Sequence, residues 1–148
     1  MKNVSVFNEK GINVDKRNVH KVLKFVSDDL SIRFISMEFN FVSPETIIRI
    51  NKEYLGHNYG TDIITFDYSA EKNMLDGEIF ISLQNAQENS KKYRVSVDNE
   101  LLRLIIHGIL HLVGYDDVTL GKRKRMKIEE NRLVGKFKKY SKGLVVIK

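Results

Sequence analysis

A chain of 148 residues can enclose one hydrophobic core but not two full domains, and 42% hydrophobic with 30% charged residues excludes a disordered chain. Cysteine is absent, which excludes disulfides, a thiolate nucleophile and any Cys-ligated zinc or iron–sulfur centre, so a metal would have to be held by nitrogen and oxygen. The net charge of +6 is polarised, with 14 Lys and Arg against 17 Asp and Glu in residues 1–119, and 11 against 2 in residues 120–148.

Such a tail either steers a polyanion toward one face or is a solvated helix that keeps a small protein soluble. The N-terminal “MKNVSVFNEKG” has no long apolar region, and no stretch reaches the roughly 18 residues needed to cross a bilayer. The expectation is a cytoplasmic protein with no membrane partner.

In chain order, “VSVF” (4–7) is predicted as a strand, and “VDKRNVHKVLKFVSDDL” as a helix from the spacing of Val19, Val22, Leu23 and Val26. “IRFISMEFNFVS” alternates Met37, Phe39 and Phe41 against Glu38 and Asn40, the pattern of a strand with one buried face. Ser43 caps a helix that has Pro44 at its first position and runs to about Leu55. Two β-rich runs follow at 61–69 and 77–83, and Ser82 caps a helix over 83–92. The apolar run “NELLRLIIHGILHLV” is too long for a strand and reads as a mostly buried helix opened by Val97 and Asp98 and ended by Gly114. A basic helix at about 120–139 resumes helical spacing through Met126, Ile128 and Leu133, and “GLVVIK” closes the chain as an edge strand or an apolar tail. The order predicts a single α/β domain over residues 1–148, of α+β character, with a mixed sheet of roughly four strands packed against about five helices.

The chemistry concentrates in “IIHGILHLVGYDD” (105–117). Four residues along a helix nearly complete one turn, so His107 and His111 project from one face and can close on one ion. If Gly114 turns the chain, Asp117 can swing back as a third ligand and leave a fourth position for water. The alternative is a pair of core histidines bonded to carbonyls or carboxylates. The zinc peptidase motif carries a glutamate base after its first histidine, and here that residue is Gly108. Peptide hydrolysis loses its base, whereas phosphodiester cleavage, which needs charge neutralised on a phosphoryl group, suits the Lewis acid that remains.

“HGILHLVGYDD” resembles the signature of the YbeY family of bacterial ribosomal RNA maturation factors, metal-dependent endoribonucleases acting on single strands. “NKEYLGHNYGTDIITFDY” (51–68) and “DGEIFIS” (76–82) resemble two further family motifs, and the likeness extends over about 31–131. It implies one metal, held at His107, His111 and the position of a third family histidine, which is Asp117 here. Zn2+ is the implied cation, and an aspartate in that place also admits Mn2+ or Ni2+. Asp116 is the rival ligand, or a support for a histidine. The family's cleft arginine falls on Leu55, so its role is absent or moved to Lys52, His57 or Arg103. Thr61 and Asp62 are expected to line the cleft, and Gly77 to allow close backbone approach.

The resemblance implies ribosomal RNA and the small ribosomal subunit as partners, with a ribosomal protein as a further candidate. RNA phosphates are expected on Lys122, Arg123, Lys124 and Arg125, with Lys52 as another candidate. No aromatic row for base stacking is evident, which favours sequence-independent contact. The alternative function is a ribosome-associated RNA-binding or assembly protein with a mainly structural metal. No catalytic group beyond the metal-activated water, and no oligomeric state, is assigned from sequence.

Overall fold

The computed structural model, which describes residues 3–146, orders the elements as β1 (Val4–Asn8), α1 (Lys16–Leu30), β2 (Arg33–Val42), α2 (Pro44–Leu55), β3 (Ile63–Asp67), β4 (Met74–Ser82), α3 (Leu83–Tyr93), α4 (Val97–Val113) and α5 (Leu120–Phe137), with a 3-10 turn at Lys138–Tyr140. The α/β expectation, four strands against five helices, is met in this order. Each helix starts on a short polar side chain that accepts a first-turn backbone N–H: Asp15 from Asn18, Ser43 from Thr46, Ser82 from Asn85, Ser96 from Asn99 and Thr119 from Lys122.

The sheet order is β1-β2-β4-β3, parallel except for the antiparallel edge strand β3. A register irregularity between Phe34 and Ser36 lets both Phe34 and Met37 turn inward, although they differ in parity, and leaves Ile35 exposed. One face of the sheet, through Met37, Phe39, Leu75, Ile79 and Ile81, joins the core built with α1, α4 and α5. The other face, through Ile64, Phe66 and Phe80, is covered by Ile47 and Ile50 of α2.

α4 is buried on nearly every side, from Leu101 to Leu112. It approaches the sheet tightly at Gly108, where a Cβ would come within 2.9 Å of Ile63 Cδ1 and 3.0 Å of Ile79 Cδ1. The glycine after His107 is therefore the residue that lets helix and sheet meet. Gly77 is tighter still, since a Cβ there would overlap the Phe66 carbonyl oxygen, which is the close backbone approach expected of it.

Three local expectations change. β4 begins at Met74, three residues before the predicted start, because its first residues pair with Arg33 and Phe34. Ile128 is 69% exposed: two residues beyond Met126 it has rotated about 200° around the helix, and the inward stripe of α5 is Met126, Glu130, Leu133 and Phe137. The terminal segment makes a single antiparallel bridge, Val14 to Val145, with Leu144 buried; Ile147 and Lys148 lie outside the described residues.

Candidate metal centre

His107 and His111 occupy the last two turns of α4, half-buried, with ring centroids 4.9 Å apart and planes at 76°. The helix ends at once behind them: Gly114, at φ +117°, donates its N–H to the Leu110 and His111 carbonyls. Tyr115 then donates its hydroxyl to Glu129 of α5 at 3.2 Å, which ties the start of the following loop to that helix.

The strongest contact at the pair is one that the sequence reading did not anticipate. His107 Nδ1 lies 2.7 Å from Glu130 Oε1, and Glu130 is only 2% exposed. Arg103, one turn before His107, reaches Glu130 at 3.4 Å and also pairs with Glu100, which is 1% exposed. Lys127 adds a second cationic contact to Glu130, at 3.2 Å. Burial pushes the Glu130 carboxyl up, but the His107 hydrogen bond and the Arg103 and Lys127 charges outweigh it and hold Glu130 below the ordinary range. An ionised Glu130 accepts the Nδ1 proton of His107, which leaves Nε2 as the free ring nitrogen. The proton affinity of His111 is lowered by burial and by the neighbouring His107, against the pull of Asp117, Asp116 and Glu130. The orientation of His107 and the lowered proton affinity of His111 suit nitrogen donation to a borderline divalent cation.

The aspartates separate. Asp116 accepts the Val118 N–H at 3.1 Å and pairs with Lys122 at 3.5 Å; the Val118 bond, against a smaller desolvation penalty, and the Lys122 charge keep its carboxyl low. Asp117 is exposed and lines, with His107, Arg103, Arg123, Lys124, Lys127 and Glu130, a cavity of about 330 Å³ between α4 and α5. Among the described residues no three His, Asp or Glu side chains stand close enough together to enclose an ion, so the structure brings the two histidines together and places Asp117 on the cavity that His107 lines, without closing the set.

The remaining candidates spread over three places. Lys122 and Arg125 line a second cavity, of about 300 Å³, with Gly114, Tyr115 and Asp116. Asp62 lines neither cavity: its Oδ2 accepts from Asn89 of α3 at 3.3 Å, and Asn89 also reaches Glu100, the partner of Arg103. Thr61, half-buried, leads into β3 beside it. Lys52 and His57 are exposed on and after α2, and Arg103 is committed to its two glutamates, whose hydrogen bonds raise its pKa. Two signals for the missed network were present in the sequence. Glu100, Arg103, His107 and His111 recur at helical spacing as polar residues on an apolar helix, and Glu130 interrupts the inward stripe of α5.

Comparison with known proteins identifies relatives of the chain. The family profile described as endoribonuclease YbeY matches residues 5–138, beyond the span of the sequence motifs. A Bacteroides fragilis protein named endoribonuclease YbeY is 42% identical over 119 residues, covering 80% of this chain and 85% of its own. A Chlorobaculum tepidum protein of the same name is 38% identical over 128 residues, covering 86% and 93%. The solution structure of TM1509 from Thermotoga maritima superposes with a TM-score of 0.64 at 24% identity, over 92% of each chain, and so shares the fold. Among the described residues no helix is long and apolar enough to cross a membrane.

Proposed function

The chain belongs to the YbeY family of endoribonucleases, and on that premise we propose that it is a metal-dependent hydrolase cleaving single-stranded RNA in ribosomal RNA maturation and ribosome quality control. The observation that carries the reading is the His107–His111 pair, with His107 Nδ1 held by buried Glu130 and His107 itself lining a cavity walled by Arg103, Arg123, Lys124 and Lys127.

In this reading His107 and His111 hold the cation, and Asp117 joins them by a shift of the loop after Gly114. The cation is Zn2+, with Mn2+ or Ni2+ admitted by the carboxylate donor. When bound it supplies Lewis acidity toward a phosphodiester oxygen and toward the attacking water. Arg123, Lys124 and Lys127 attract and orient the phosphates around the scissile position, while Glu130 keeps the His107 ring from rotating. Lys122 and Arg125 extend the positive track past Gly114 into the second cavity. Peptidase chemistry is disfavoured on geometry as well as composition, because position 108 points at Ile63 and Ile79 rather than at the cavity. Ribosomal RNA in the cytoplasm, carried by the small ribosomal subunit and its proteins, is the matching partner. The whole chain acts as one such domain, with α5 as its basic helix.

A second reading, an RNA-binding assembly factor with a structural metal, draws on the open third position at the histidine pair. Cleavage of single- and double-stranded RNA of one sequence, with and without added Zn2+ or Mn2+, separates the two. Metal-dependent cutting of the single strand supports the nuclease; metal-independent binding without cutting supports the assembly factor.

A further inference from the structure

The last turn of α2 and the segment between α2 and β3 carry exposed aromatic rings. Asn51, buried in α2, closes this loop on itself. Its Nδ2 donates to the Tyr59 carbonyl at 2.7 Å, and its own carbonyl accepts the N–H of Gly56 and, at 3.2 Å, that of His57. Gly56, at φ +71°, supplies the left-handed turn that makes the closure possible. Rings stand out from this clamped loop and from the last turn of α2. Tyr54 is 68% exposed and Tyr59 is 60% exposed, and His57 is exposed beside them.

The rings are ordered relative to one another. His57 and Tyr59 have centroids 5.0 Å apart with planes at 31°, and Tyr54 and Phe66 meet in a T-shaped arrangement at 5.9 Å that leaves most of the Tyr54 ring exposed. Arg49 and Lys52 of α2 are exposed, and neither has an ion pair among the described residues. The loop enters β3 at Ile63, which abuts Gly108, the residue after His107. Exposed, pre-set rings beside unpaired cations, on a loop leading into the strand packed against α4, match the chemistry of a flexible strand with unpaired bases: faces for the bases and charge for the phosphates. No aromatic row is legible in the sequence because Tyr54 falls in a helix, α2, and its exposure depends on how that helix packs.

We infer that Tyr54, His57 and Tyr59 form a stacking platform for unpaired nucleobases of the RNA strand that the His107–His111 site acts on. This inference rests on the endoribonuclease reading above. Stacking is sequence-tolerant, so the platform selects single-stranded over paired RNA without selecting a sequence. Arg49 and Lys52 hold the adjoining phosphates.

The test is fluorescence-anisotropy binding of the full chain to a labelled single-stranded RNA and to an abasic strand of equal length and charge. Wild type is expected to prefer the base-containing strand. Tyr54→Ala with Tyr59→Ala is expected to weaken binding of that strand about tenfold or more, to leave abasic binding and its salt dependence unchanged, and to melt within a few degrees of wild type. Tyr54→Phe with Tyr59→Phe is expected to retain the preference, since the ring faces remain. Equal loss on both strands, or no loss on either, overturns the platform while leaving RNA binding in place. A wild-type protein that binds neither strand overturns the platform and the endoribonuclease reading together.

Discussion

His107 Nδ1 and Glu130 Oε1 stand 2.7 Å apart, and this contact across α4 and α5 decides which nitrogen of His107 is free. Because Glu130 is buried and held by Arg103 and Lys127, the carboxylate is fixed before any ligand arrives. Glu130→Gln keeps the shape but removes the charge that favours the Nδ1–H tautomer. Metal affinity, measured by competition with a chromophoric chelator, is expected to fall about 10- to 100-fold. Nitrogen NMR of the imidazoles should show His107 losing its single tautomer. Unchanged affinity and tautomer would reduce Glu130 to a structural partner of Arg103.

Gly108 gives a sharp test of why the peptidase glutamate is missing. Gly108→Glu would push a carboxylate between α4 and the Ile63 and Ile79 side chains, combining overpacking with an unpaired buried charge. Urea unfolding is expected to show a loss of about 3 kcal/mol or more, with no peptidase activity gained. A stable variant that cleaved peptides would mean that position 108 reaches the cavity.

Asp29 links α1 to α5 through Arg132 at 2.6 Å and Lys136 at 2.6 Å. The Arg132 hydrogen bond and, against a smaller desolvation penalty, the Lys136 bond and both charges lower its carboxyl from 3.8 to about 2. A carboxyl depressed on folding adds stability that is complete above its unfolded value and lost as pH falls through its folded value. The contribution should therefore be intact above about pH 4 and disappear toward pH 2. Both cations are half exposed, so solvent screening limits the contribution to about 1 kcal/mol. Asp29→Asn should lower stability by that amount at pH 7 in urea titrations and by little at pH 2. An equal deficit at both values would assign the loss to packing.

Arg123 and Lys124 line the cavity of His107 and Asp117, and neither has an ion pair among the described residues. Reversing both to glutamate is expected to weaken single-stranded RNA binding and to reduce the magnitude of the log affinity against log salt slope by about 1.4, two phosphate contacts' worth. The reversal of Lys138 and Lys139, in the 3-10 turn beyond α5, serves as the comparison and should change the slope less. Equal effects would make the tail a diffuse attractor rather than a track to the site.

The helices were legible where local chemistry dictates them. Ser43, Pro44 and Leu55 mark α2 to the residue, and Gly114 ends α4 where its left-handed conformation requires. The start of β4 was less legible because Asp76 and Gly77 dilute its apolar signal, and only pairing with β2 reveals Met74 and Leu75 as strand. Ile128 misled because an apolar side chain on a basic helix invites an inward assignment that its angle does not allow. At the site, the spacing of His107 and His111 was enough to place them together. Glu130 lies 23 residues from His107 in sequence, and its role depends on how α5 crosses α4, which no local pattern encodes. Asp117 was readable as a candidate but not as a donor in place.

The most direct test of the central claim is the metal content of purified protein by inductively coupled plasma mass spectrometry, with His107→Ala alongside and both samples assayed on single-stranded RNA. The account requires about one divalent ion per wild-type chain, little or none in the variant, and cleavage that follows the ion. RNA cleavage by a metal-free wild-type protein, or equal cleavage by His107→Ala, would contradict it.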